Sequence, residues 1–125
     1  MRYLCLAYYD PEKMNALPKP ELQAIISKCP GHDAKLHATG HLLFSASLGG
    51  PERTINIRPK GEKTAITDGP FTESKEMIGG MFIIEADSPE EAKAIASHHP
   101  AAHLGEHIGW GIEIRPIDWF HEAPR

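Results

Sequence analysis

Eight histidines in 125 residues supply most of this chain's capacity to move protons near neutral pH, and all but His121 fall into two sets. In the first, Leu22, Ile25, Ile26 and Cys29 recur at helical spacing, and continuing that stripe past Pro30 brings His32 or Asp33, then Leu36, onto or beside the inward face. A partly buried imidazole or carboxylate there needs a partner and acquires a shifted pKa suited to proton transfer. The competing reading has Pro30 reorient the helix, leaves His32 near solvent as a cap, and buries only Leu36. In the second set, His99, His103 and His107 would share one face of a continuous helix that also follows His98, a spacing reminiscent of metal ligands. Pro100 and Gly105 interrupt any such helix and only Glu106 stands nearby as an acidic ligand. A polar, pH-responsive loop is therefore the expectation, and no metal is assigned.

A second concentration of unusual residues is the run TDGPFTESKEMIGG, Thr67 to Gly80. Asp68 can accept hydrogen bonds from the backbone ahead of it, Gly69 permits positive φ, Pro70 fixes the exit direction and Phe71 anchors the turn, all without catalysis. If the run is a site instead, Phe71 and Lys75 are the groups it offers to a ligand. Glu73, Lys75 and Glu76 can pair with one another or with a partner subunit, each exposed pair contributing about 0 to 1 kcal/mol. Gly79 and Gly80 mark a bulge or a close backbone approach. Near the C-terminus, Gly109 and Gly111 clear one strand face, leaving room for packing or the floor of a small cavity beside Glu113 and Arg115. Arg115 can grip a ligand carboxylate at two points. Cross-strand pairing of Arg115 with an acid is the competing explanation.

The elements that must position these groups follow from periodicity. Tyr3 to Tyr9 and Met81 to Ala86 are apolar on both alternating faces, as central strands covered on two sides would be. Asp10 to Pro20, with three prolines, reads as a surface loop, and Pro20 then opens the first helix. After the Pro30 break, a second helical piece runs to about Thr39, with Gly40 as its left-handed terminator. Leu42 to Leu48 alternates as a half-buried strand, and residues 53–58 and 63–67 form a hairpin about a Pro59–Glu62 turn. Ser88, Pro89 and Glu91 make a capping box that opens a helix with Ala92, Ile95 and Ala96 facing inward. Ile108 to Ile117 closes the chain as a strand. The order is β-α-β-β-β-β-α-β, a ferredoxin-like α+β plan with an antiparallel sheet, two helices on one face and an inserted hairpin.

Composition excludes several functions. Thirteen Lys and Arg against 17 Asp and Glu give a net charge of -4 with no basic block, which argues against a nucleic-acid partner. The N-terminal apolar run is too short to span a bilayer and lacks a cleavage site, so no membrane association and a cytoplasmic location are expected. Cys5 and Cys29 fall on apolar strand and helix positions, as small core residues do. No phosphate-binding glycine loop, GxSxG elbow or HExxH pair is present, and no cofactor is expected.

The signature Asp68-Gly69-Pro70-Phe71, with Glu73, Lys75, Glu76, Gly79 and Gly80 behind it, resembles that of the DGPF branch of the YCII-related family. The resemblance covers nearly all of residues 1–125, taken as one domain, and implies a homodimer whose open sheet faces pair into a dimeric α+β barrel. Trp119 and Phe120 would add to that contact. It also implies a cofactor-free lyase- or isomerase-like site with a His and Asp pair facing the sheet. His32 fits that role, with Asp68 or Asp33 as the orienting carboxylate, and His37 and His41 are substitutes. The alternative is a non-catalytic dimeric module that binds a small molecule or a protein.

Overall fold

The computed structural model describes residues 1–69 and 76–124. Strand β1 (Arg2–Tyr9) leads through three short helices, α1 (Pro11–Ala16), α2 (Lys19–Ile26) and α3 (Cys29–Ala38), to β2 (Leu42–Ser47). Strands β3 (Ile55–Lys60) and β4 (Lys63–Asp68) form the hairpin, and β5 (Met77–Glu85), α4 (Pro89–Ala96) and β6 (Gly111–Pro116) complete the chain. The main sheet has the order β2-β5-β1-β6, antiparallel throughout, while β3 and β4 pair as a separate two-stranded sheet. This is the ferredoxin-like arrangement. Its two central strands, β1 and β5, are the two segments whose sequences are apolar on both faces.

One face of the sheet carries the core. Tyr3 and Cys5 of β1 lie opposite Ile84 and Phe82 of β5, and all four are buried. Leu36 of α3 and Ala92, Ile95 and Ala96 of α4 close over them, with Ile112 and Ile114 of β6 packed at the side. Fully burying each large side chain contributes roughly 1.5 to 3 kcal/mol. The same environment pushes the Cys5 thiol up to about 12, so it remains protonated and inert. Helix α4 begins as its residues dictate: Ser88 Oγ accepts from Glu91 N at 3.1 Å, and Glu91 Oε1 accepts from Asp87 N at 3.1 Å.

Three elements differ from their sequence-based expectations. The loop expected over Asp10 to Pro20 contains α1, because buried Asp10 accepts from Glu12 N at 3.1 Å and Lys13 N at 3.2 Å and Pro11 preorganises the first turn. Strand β5 starts at Met77 rather than Met81. Gly79 and Gly80 therefore lie inside it, at a shift in the β1 pairing between Ala7 and Tyr8, and a Cβ on Gly79 would sit 2.9 Å from the Tyr9 ring. Strand β6 starts at Gly111 rather than Ile108, since Ile108 is buried in a 3-10 turn, Glu106–Ile108. Gly40, at φ 75°, follows α3 as expected.

The other sheet face is open. It presents half-buried Leu4, Leu6, Met81 and Ile83 with exposed Phe44, flanked by Glu113 and Arg115. No helix among the described residues is long and apolar enough to cross a membrane.

Candidate active site

Helix α3 rests on the core through Leu36, and the residues around its circumference have unequal fates. At about 100° per residue, the order around the helix is His32, Leu36, Cys29, Asp33, His37. Leu36 points at the sheet, so His32 falls on one flank and the row Cys29, Asp33, His37, each one turn from the next, falls on the other. That second flank lines a cavity of about 540 Å³. Such a volume lies within the ~300–1,000 Å³ typical of small-molecule sites.

The cavity floor is the upper end of the sheet, where Ala7, Ser45, Ser47 and Gly80 carry little or no side chain. Tyr9, Met14 and Trp110 stand at its sides. Trp110 owes its position to Gly105, at φ 70°, where any Cβ would lie 2.5 Å from the indole. The remaining wall comes from the 3-10 turn Pro100–Ala102 and the histidine ahead of it.

That histidine is the most constrained polar group in the cavity. The His99 ring stacks on Phe82, centroids 4.7 Å apart and planes 2° from parallel. Its Nδ1 accepts a hydrogen bond from Ala101 N at 3.0 Å, which assigns the proton of the neutral ring to Nε2. Burial lowers the His99 pKa below the ordinary 6.5, and the Asp33 charge opposes that shift without cancelling it. His99 is thus a neutral imidazole at neutral pH. Its Nε2–H has no protein partner among the described residues, and no buried side-chain polar atom there lacks one, so this nitrogen is solvent-accessible in a side chain that lines the cavity.

Asp33 and His37 supply ionisable groups from the α3 wall. Cys29, beside them, is a poor nucleophile, because burial first and the Asp33 charge second raise its thiol pKa. Burial and then the Glu52 charge likewise raise the Tyr9 phenol, which stays protonated and able to donate.

A family model described as the YCII-related domain matches residues 1–117. The chain belongs to the YCII-related family. A curated relative, an uncharacterized protein of Rhizobium meliloti, is 29% identical over 117 residues, covering 94% of this chain and 92% of the relative. Among solved structures, 5-chloro-2-hydroxyhydroquinone dehydrochlorinase of Burkholderia phenoliruptrix, in complex with 2,5-dihydroxybenzoquinone, is similar over 98% of this chain and 96% of its own. The TM-score is 0.51 at 18% identity, so that likeness bears on the fold.

The sequence-based candidates of this YCII-related chain occupy different places. Asp33 lines the cavity. His32 instead stacks on His103, centroids 4.8 Å apart, and His103 Nε2 contacts the Ser97 carbonyl. Asp68 ends β4 opposite Ile55 in the separate hairpin. Arg115 is exposed on β6 opposite Leu4, on the open face. Phe71 and Lys75 lie outside the described residues. His41 donates from Nδ1 to the Glu85 carbonyl at 2.8 Å, with Glu91 Oε1 3.8 Å away. No hydrogen bond joins His32 or His37 to Asp33 or Asp68 among the described residues. His98 and His107 are exposed, and no group of three or more described His, Cys, Asp or Glu residues is arranged to hold a metal ion.

His99 is the cavity group that sequence reasoning missed. Its usable signal was His-Pro directly after a helix, where an imidazole nitrogen can cap the next turn. His37 carried a clearer one, since Cys29, Asp33 and His37 repeat at intervals of four.

Proposed function

We propose that this protein is a cofactor-free acid–base enzyme of the lyase or isomerase type, acting on a small oxygen-substituted molecule in the α3–sheet cavity. The observation carrying this reading is the accessible Nε2–H of His99, held neutral in a side chain that lines the same cavity as Asp33 and His37. His37 takes a proton from a carbon next to a carbonyl, and Asp33, one turn away on the same helix face, stabilises the imidazolium that forms. The electron pair moves onto the carbonyl oxygen, which accepts a hydrogen bond from His99. Collapse of that enolate expels a leaving group from the neighbouring carbon, giving elimination, or recovers the proton at another carbon, giving isomerisation. His99 never needs to ionise in either course.

The structural neighbour's name, a dehydrochlorinase bound to a dihydroxylated quinone, supports an elimination on a small ring. The protein works as a homodimer that covers the apolar strip of Leu4, Leu6, Met81 and Ile83 with the same strip of a second copy. Its setting is the cytoplasm. Among the candidates read from sequence, Asp33 is retained, and His37 takes the place assigned to His32.

The test is a screen of halogenated and hydroxylated ring ketones and quinones for halide release or isomerisation, run with wild type, His37→Ala and His99→Ala. Loss of turnover in both variants, by about 10²-fold or more, is expected. Turnover insensitive to both substitutions refutes the mechanism. Tight binding of such rings with no turnover in any protein would instead favour a non-catalytic binding module.

A further inference from the structure

Beside the α3–sheet cavity lies a second space of about 370 Å³, a groove lined by α4, the Pro100–Ala102 turn and β6. Its wall is mainly apolar, with Ala96, Ile112 and Ile114, while Lys93 and Ser97 stand exposed at its rim. Two residues, Trp110 and Ala101, line both the groove and the cavity. Ala101 is buried and ends in a methyl group, so the indole is the bulk between the two spaces. The chain around Trp110 fixes that indole. Trp110 N donates to the Gly105 carbonyl at 3.1 Å, folding the turn back on its start. The ring then lies against Gly105, where a Cβ would come within 2.5 Å of the ring carbons Cγ and Cδ2. Gly109, just ahead, is pressed on Asp10, and a Cβ there would lie 2.9 Å from Asp10 Cβ. Asp10 is itself held, since its N–H donates to the Ile108 carbonyl at 3.0 Å and its side chain caps α1.

We propose that the Trp110 indole is the specificity-determining wall of the cavity, restricting its substrates to rings without a large apolar substituent. The inference rests on the ring-acting enzyme proposed above and narrows its substrate class. An alkyl chain carried toward Trp110 meets the indole instead of the apolar groove behind it, stays in water, and gains nothing from burial. Small polar substituents are not penalised in this way, because the cavity offers Ser45, Ser47, Asp33 and His37. Removing the indole joins the groove to the cavity and gives an alkyl chain Ile112 and Ile114 to pack against. Each methylene buried there is worth about fourfold in affinity.

Isothermal titration calorimetry tests this with wild type and Trp110→Ala, using a hydroxylated benzoquinone and its butylated derivatives, one for each free ring position. Wild type should bind the parent ring at least as tightly as any butylated one. Trp110→Ala should reverse that order and prefer a butylated ring by about tenfold or more, as burying two or more methylenes would give. An order that Trp110→Ala leaves unchanged, or a wild type that prefers a butylated ring, overturns the inference. If the parent ring is bound and turned over meanwhile, the proposed enzyme stands without it. A reversed order with no turnover in either protein keeps Trp110 as the wall and removes the catalytic reading, whereas no binding of any ring overturns both. Should Trp110→Ala fail to fold, NMR on wild type decides. Saturating butylated ring should shift the Trp110 indole N–H resonance and leave the Ile114 methyls in place, and equal shifts at both refute the wall.

Discussion

Replacing Phe82 with Leu separates what the core does for stability from what it does for His99. Phe82 is fully buried on the helix-facing side of β5, and its ring lies flat against the imidazole. Leucine keeps the site apolar but loses the ring contact, costing about 0.5 to 1.5 kcal/mol, and leaves a gap of methyl size or more, costing about 1 kcal/mol. The expected loss is about 1.5 to 2.5 kcal/mol, against a total stability of roughly 5 to 15 kcal/mol, so the variant folds. For a chain of this length the melting temperature should drop by roughly 5 to 15 °C. The His99 pKa should nevertheless stay below 6.5, because burial is its leading cause and leucine buries the ring as phenylalanine does. Urea unfolding measures the first quantity, and NMR titration of the His99 ring protons measures the second. A loss below about 0.5 kcal/mol would deny Phe82 its place in the core. A His99 pKa at or above 6.5 in the variant would mean that ring stacking, not burial, holds the imidazole neutral.

Three further outcomes follow from the same geometry. His99 binds its proton more weakly folded than unfolded, so its contribution to stability is complete above pH 6.5 and is lost as pH falls toward the folded value. The stability difference between wild type and His99→Gln should shrink from pH 7.5 to pH 5 in urea titrations, and a difference that grows on acidification contradicts the assignment. Asp33→Asn removes the charge that raises the His99 pKa against burial, so NMR should find His99 titrating at still lower pH, and an upward move would show that Asp33 does not act on it. Ser88→Ala removes the bond to Glu91 N and should cost about 0.5 to 2 kcal/mol by thermal or urea unfolding; no change would mean that the cap is idle.

Much of the framework is local and therefore readable from the chain. The α4 cap needs only Ser88, Pro89 and Glu91 in order, and the two central strands declare themselves by being apolar on both faces, one packed under the helices and the other forming the open sheet face. The DGPF run marks the family for a related reason, being ten or so specified positions within one stretch of chain. Even the missed α1 was legible, because Asp10-Pro11-Glu12 is a cap, a preset first turn and a favourable N-terminal charge.

The candidate site depended on long-range packing instead. Asp33 and His32 are neighbours in sequence, and only the docking of Leu36 against β1 and β5 decides which of them meets the cavity. His99 is brought to the α3 cavity from more than sixty residues away, and its neutrality comes from burial against Phe82, a residue that no spacing rule connects to it. The hairpin's alternation was plain, but which face points outward was not, because period-two alternation looks identical whichever side is buried. Local chemistry made the elements; burial, which depends on every element at once, chose which side chains became a site.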